Sequence, residues 1–131
     1  MKFTSTGNFE ISTWNEEAYV EQADGTKQSH AKITQTYRGD IEGSSSLQYL
    51  MSYHSPTVAE FVGFETIIAA IGDKKGQFIV RHLGKFEDGV ASSSFVVVAH
   101  SGTDDFSGLY GSGEFSAPAG GVAQYLFNFE L

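Results

Sequence analysis

Glycine punctuates the apolar runs of this chain, and that spacing constrains the fold more than any other feature. The 131 residues include 15 glycines and only 2 prolines. The glycines stand at or near the ends of runs rich in β-branched and aromatic residues, whereas amphipathic series of helix formers are scarce. This pattern predicts many short strands joined by turns. The predicted strands cover residues 7–13, 17–22, 28–38, 43–53, 60–71, 76–86, 90–100, 107–116 and 123–131.

One segment admits a second interpretation. The apolar residues between Val58 and Ile71 partly match the 3.6-residue period of a helix. Gly63 and the β-branched series Thr66-Ile67-Ile68 favour a strand instead, because both disfavour the interior of a helix. We therefore expect a strand here.

Turn residues allow the pairing of three central strands to be predicted. A two-residue loop at Asp73-Lys74 would place Glu65 opposite His82, and one at Asp88-Gly89 would place Phe95 opposite His82. Cross-strand partners point to the same side of a sheet, so these side chains share one face. That face is otherwise apolar and is expected to form the core.

Nine such segments without a covering helix need either two packed sheets or closure into a barrel. We expect an all-β, antiparallel closed barrel of eight to nine strands that forms a single domain over residues 1–131. A barrel of about eight strands can be filled by side chains or can hold one small ligand.

Composition excludes several classes of function. The 16 acidic and 8 basic side chains give a net charge of −8, which would repel a nucleic acid backbone. The absence of cysteine excludes a disulfide framework and a thiol nucleophile. No secretion signal is evident, and no run approaches the roughly 20 apolar residues of a membrane-spanning helix. We expect a soluble, cytoplasmic protein without nucleic acid or membrane partners.

Glu65 and His82 are the candidate catalytic residues. A buried carboxylate is costly unless it is paired and hydrogen-bonded, and an imidazole supplies such a partner. The pair could act as a general acid and base or anchor a ligand inside a cavity. The alternative is a satisfied polar pair in a packed core.

The candidate ligand-binding residues lie on the same predicted face. Tyr49 would lie opposite Gly63 or Glu65, depending on where the Ser55-Pro56-Thr57 turn is centred. We expect a pocket that reaches solvent at one end of the barrel and is lined by Tyr49, Met51, Glu65, Val80, His82 and Phe95. The full set of predicted ligand-binding residues is Tyr49, Met51, Tyr53, Phe78, Val80 and Phe95.

Other motifs carry weaker signals. The glycine-rich stretch 108–115 lacks the Lys-Ser or Lys-Thr of a phosphate loop, so its glycines are expected to face inward beneath large aromatic residues. His100, Ser101, Asp104 and Asp105 are expected to form a loop rather than a hydrolytic triad. The four histidines lack metal-binding spacing, and we predict neither a metal nor a cofactor.

The chain resembles a bacterial family known as domain of unknown function 3224, and the matching stretches run in order through nearly its whole length. They are Gly7-x-Phe9, Trp14-x-Glu16-x-x-Tyr19, Gly39-Asp40-Ile41-Glu42-Gly43, Tyr49-Leu50-Met51-x-Tyr53, Phe61-Val62-Gly63-x-Glu65, Gly76-x-Phe78-x-x-x-His82-x-Gly84-x-Phe86, Ser101-Gly102-Thr103 and Gly108-Leu109-x-Gly111-x-Gly113. The resemblance implies a barrel similar to that of allene oxide cyclase, but it supplies no catalytic residue. Fold alone does not carry function.

Three functions are consistent with this sequence. The leading hypothesis is a barrel that binds a small, largely apolar molecule. The second is a cofactor-independent isomerase or cyclase in which His82 acts as acid or base and Glu65 fixes its tautomer. The third is a structural or interaction protein with a filled core that acts through exposed apolar residues such as Trp14, Ile79 and Leu83, as in a homo-oligomer.

Overall fold

The protein folds into one antiparallel sheet of eight strands that closes into a ring. The computed structural model describes residues 1–118 and 122–131. The strands are β1 (Lys2–Glu21), β2 (Lys27–Gly39), β3 (Ile41–Ser55), β4 (Val58–Ile71), β5 (Lys74–Glu87), β6 (Val90–Val97), β7 (Tyr110–Ala117) and β8 (Ala123–Glu130). Each strand pairs with the next along the chain, and β8 pairs with β1.

The ring closes with a stagger because its strands are tilted, as closure of a sheet requires. Cross-strand partners can be followed from Ser5 of β1 to β8 and then from strand to strand down to β2. This path returns to β1 at Glu16 and not at Ser5, which is the stagger of the ring. β8 pairs with β1 only from Lys2 to Phe9, whereas β2 pairs with it from Gly7 to Glu21. The second half of β1 therefore has a paired edge on one side only within the described residues.

Eight strands replace the nine predicted segments because segments 7–13 and 17–22 belong to one strand. β1 continues through both segments, and its pairing with β2 shifts register at Ile11/Thr13 and Ala18/Val20. Such bulges bend a strand without ending it. The predicted strand over residues 60–71 is confirmed as part of β4, and the helical alternative is wrong.

The predicted β4–β5 pairing was wrong by two residues. The turn lies at Gly72-Asp73, so Glu65 is opposite Val80, and His82 is opposite Gly63. Gly72 adopts φ +63°, a conformation that tight hairpin turns require and that glycine reaches without steric cost. A shift of two residues keeps every side chain on its predicted face.

The β5–β6 pairing is confirmed. His82 lies opposite Phe95, and Val80 lies opposite Val97. β6 ends at Val97, so the predicted strand 90–100 is three residues too long.

Aromatic rings lying over glycines fill much of the interior. The Phe61 ring occupies the space in which a side chain of Gly84 would lie, and the Phe95 ring occupies that of Gly113. Tyr49 covers Gly63 in the same way. The prediction that the glycines of stretch 108–115 make room for large neighbours is confirmed for Gly111 and Gly113, whereas Gly108 has open space around it.

The segment between β6 and β7 closes one end of the ring. Its short 3-10 helix, Asp104–Phe106, places the fully buried Phe106 against Phe78, with ring centroids 5.3 Å apart. The side chains of Thr103 and Asp105 accept hydrogen bonds from the Gln77 and Lys75 backbone amides of β5. Among residues 1–118 and 122–131, no helix has the length and apolar character needed to cross a membrane.

Gly84→Ala should destabilise the protein by about 1–3 kcal/mol, because the added methyl group would overlap the Phe61 ring and the Ser92 carbonyl oxygen. Urea unfolding followed by circular dichroism measures the loss. Leu83→Ala on the exposed outer face is the control and should change stability by less than about 0.5 kcal/mol. Equal stability of Gly84→Ala and the parent would contradict the described packing.

Candidate functional site

Glu65 and His82 meet in the interior of the ring. Glu65 Oε1 and His82 Nε2 are 2.7 Å apart, and the two side chains are only 1% and 2% exposed. They come from adjacent strands but are diagonal neighbours, since their directly opposite partners are Val80 and Gly63. The predicted contact is confirmed even though the predicted register is not, because both side chains project from the same face.

Two further side chains complete a buried polar network. The Tyr37 hydroxyl donates to Glu65 Oε2 over 2.6 Å, and His82 Nδ1 lies 2.8 Å from the Ser93 hydroxyl oxygen. Burial raises the pKa of Tyr37 well above its usual value, and the nearby Glu65 carboxylate raises it further. Tyr37 therefore remains a neutral donor at ordinary pH.

Every polar side chain of this network has a hydrogen-bond partner. The Ser93 hydroxyl lies within 3.3 Å of the Leu83 and Ser94 carbonyl oxygens, so it can donate to one of them and accept from His82 Nδ1. His82 Nε2 lies 2.7 Å from Glu65 Oε1, within hydrogen-bond distance. Both imidazole nitrogens and both carboxylate oxygens are engaged by protein groups.

Tyr49 contributes a buried hydroxyl that has no hydrogen-bond partner among the described residues. The side chain is only 4% exposed, and its ring meets the His82 ring edge-on at 5.6 Å. Burial raises the pKa of Tyr49 well above its usual value, and the Glu65 charge adds to the shift. An unpaired buried hydroxyl is uncommon and costs about 1–3 kcal/mol of stability.

The other predicted ligand-binding residues lie at three levels of the interior. Phe95 packs beside His82 at 5.3 Å, and Val80 lies opposite Glu65, so both adjoin the network. Phe78 lies deeper, stacked on Phe127. Met51 and Tyr53 lie toward the end of the ring opposite Phe106, where the Tyr53 hydroxyl contacts the Met51 sulfur at 3.9 Å.

The structure forms grooves on its outer surface. One of them has a volume of about 900 Å³ and runs across β4–β8, where Leu83, Ser94 and Glu114 line it. None of the residues predicted to line an interior pocket lines the three grooves described on this molecule. Those six residues are all less than 9% exposed, so the interior pocket remains a prediction.

A second polar cluster stands toward the partly exposed end of the interior. The Glu16 carboxylate accepts hydrogen bonds from the Ser29 and Tyr53 hydroxyls and from the Trp14 indole. Partial burial opposes its ionisation, but these hydrogen bonds and the charge of Lys27 outweigh burial and lower the pKa of Glu16 below its ordinary value of 4.5. This end therefore carries a polar cluster, whereas the apolar Phe106 closes the other end.

Sequence reasoning missed Tyr37 and Glu16 as site residues. Alternation along β2 indicates that Tyr37 faces inward, but only the three-dimensional path of the ring brings its hydroxyl to Glu65. Glu16 lies beyond the bulge of β1, which shifts the alternation that sequence analysis depends on. The feature that could have shown Glu16 to face inward is its cross-strand partner on β2, Ala31, whose side chain faces the interior.

The loop residues considered for a hydrolytic triad have structural contacts instead. Ser101 donates to the Val98 carbonyl oxygen, and Asp105 accepts from the Lys75 amide. His100 is exposed and adopts φ +68° in the turn after β6. Across the described part of the chain, no three His, Asp or Glu side chains converge as metal ligands would.

Comparison with known proteins identifies relatives of the same fold. The family model described as "Protein of unknown function (DUF3224)" matches residues 5–129. A crystal structure of a protein with unknown function from this family, from Shewanella oneidensis MR-1, is 25% identical and superposes with a TM-score of 0.83. The alignment covers 100% of this chain and 98% of that one. No curated protein matches the sequence.

Replacing one partner of the Glu65–His82 pair should lower the free energy of unfolding more than replacing both partners. Glu65→Leu and His82→Phe should each destabilise the protein by about 3–5 kcal/mol, because each leaves a buried polar partner unpaired. The double variant should lose clearly less than the sum of the two single losses. Urea unfolding of all four proteins measures this coupling, and additive losses would show that the two side chains do not interact.

Acid should weaken the Glu16 cluster. Because the pKa of Glu16 is lower in the folded protein than its ordinary value of 4.5, its contribution to stability is present above that pH and is lost as pH falls through the folded pKa. Glu16→Gln should therefore reduce the difference in unfolding free energy between pH 6 and pH 3. Exposed Glu10→Gln is the matched control, and equal pH dependence of both variants would contradict the assignment.

Proposed function

The chain belongs to the DUF3224 family, whose members are described only as proteins of unknown function, and we propose that it binds a small, largely apolar molecule inside its ring of strands. The Tyr49 hydroxyl would bond to a polar group of the ligand. Aromatic and aliphatic side chains around it, including Phe61, Phe95 and Val80, would supply the apolar contacts.

The unpartnered Tyr49 hydroxyl carries this proposal. It lies in an apolar interior beside a network in which every other polar side chain has a partner. A phenylalanine would fill the same space without an unsatisfied polar atom. A ligand group that accepts from or donates to the hydroxyl would remove its desolvation cost and thereby gain affinity.

Access is favoured at the end of the ring opposite Phe106. There, the inward side chains of Tyr53, Phe86, Ala91 and Ala117 are partly exposed. Met51 and Phe61 lie between them and Tyr49. Since these inner side chains contact one another, binding requires them to move apart, and the small alanines leave room for that movement at the rim.

The geometry favours binding over acid–base catalysis. A general base must come within hydrogen-bond reach of the substrate proton, but both nitrogens of His82 already contact Glu65 and Ser93. An isomerase or cyclase would have to displace one of these partners. The filled-core alternative is supported by the rings packed over Gly84 and Gly113, and it leaves the unpaired buried hydroxyls of Tyr49 and Ser45 unexplained. The likeness of the fold to that of allene oxide cyclase remains a proposal and carries no part of this argument.

Tyr49→Phe should raise the stability of the protein and weaken its binding of the ligand. The ligand-free variant should be more stable than the parent by about 1 kcal/mol, because an unsatisfied buried hydroxyl is removed. In native mass spectrometry of protein purified from its own host, the parent should retain an organic molecule, and the variant should retain much less of it.

Tyr110→Phe on the exposed surface is the matched control and should change neither property. The proposal fails if the parent retains no molecule, or if Tyr49→Phe retains as much as the parent does. A loss of stability in Tyr49→Phe would show that the hydroxyl is already satisfied within the protein.

A further inference from the structure

The second half of β1 forms a sheet edge that the ring does not use. Residues 10–21 pair with β2 on one side, whereas the pairing of β1 with β8 ends at Phe9. Within residues 1–118 and 122–131, no strand pairs with the other side of this segment. A strand edge of this kind presents unpaired amide and carbonyl groups that can bind an extended chain.

The side chains along this edge are both apolar and acidic. Ile11, Trp14, Tyr19 and Val20 are 39–55% exposed. Every charged residue between positions 10 and 24 is acidic, and these residues are Glu10, Glu16, Glu17, Glu21 and Asp24. This edge therefore combines backbone pairing groups with apolar contacts and a uniformly negative charge.

We propose that the free edge of β1 over residues 10–21 binds an extended, basic segment of another protein by adding it to the sheet as a strand. The negative charge selects a partner rich in lysine or arginine, and the exposed apolar residues select alternating apolar side chains in that partner. A second copy of this chain is disfavoured there, since it would bring one acidic edge against another.

The bulges of β1 restrict which chains can pair. The register shifts at Ile11/Thr13 and Ala18/Val20 leave the stretch from Thr13 to Ala18 as the longest regular run. Bulges and charges on an edge strand oppose indiscriminate pairing. The partner is therefore expected to pair over a short stretch centred on Trp14 and Glu17.

The single tryptophan makes this proposal directly measurable. Trp14 lies on the edge itself and is 44% exposed, so its fluorescence reports on this segment. A ten-residue peptide of alternating lysine and valine is the probe, and a peptide of alternating glutamate and valine is its charge control. The lysine peptide should shift the Trp14 emission and bind at least about tenfold more tightly than the glutamate peptide.

Two controls distinguish strand addition from general charge attraction. A lysine–valine peptide with alternate backbone nitrogens methylated cannot complete the hydrogen-bond ladder and should lose most of its binding. The double variant Glu17→Lys/Glu21→Lys should also bind weakly. The double variant Glu42→Lys/Glu114→Lys, which has the same net charge but is altered at exposed acids outside the edge, should bind like the parent.

The proposal is overturned if the methylated peptide binds as well as the unmethylated one, or if the two double variants bind equally. It is also overturned if a second copy of the chain occupies the edge. Sedimentation would then show a dimer for the parent and a monomer for Glu17→Lys/Glu21→Lys. These outcomes are independent of whether the ring interior binds a ligand, because the substituted Glu17 and Glu21 are exposed whereas Tyr49 is buried.

Discussion

Pairing of β1 with β8 is the constraint on which the rest of the structure depends. It joins the two ends of the sheet, so every inward-facing side chain points into one shared interior. The stagger of that closure decides which residues meet across the interior, and it brings Tyr37 of β2 to Glu65 of β4. The same stagger carries β1 past the end of β8 and leaves its second half with an exposed edge.

The interior combines close packing with polar groups that packing alone does not require. Glycines beneath Phe61 and Phe95 let large rings approach the opposite strand, which is how a small ring of strands fills itself. The Tyr37–Glu65–His82–Ser93 network is satisfied within this packing, whereas the Tyr49 hydroxyl beside it is not. A buried pair such as Glu65 and His82 is weak evidence for added stability, so the proposed role of this region is recognition.

Alternation along the strands made the faces predictable, and it placed Glu65, His82 and Phe95 together on the inner side. The β4–β5 register was not predictable from the residues chosen for the turn. The turn lies at Gly72-Asp73, one position earlier than predicted, and this changes each cross-strand partner by two residues. The continuity of β1 was hidden because its bulges interrupt alternation at the places where the sequence suggests a break. The contact of Tyr37 with Glu65 depends on the path of the whole ring, which local patterns do not encode.

A crystal structure of the protein purified from its own host tests the central claim most directly. The account predicts electron density for an organic molecule in the ring interior, with a polar atom within hydrogen-bond distance of Tyr49 Oη and with Phe61 displaced from its position over Gly84. An interior in which Tyr49 Oη contacts only protein atoms, with Phe61 still covering Gly84, would contradict it.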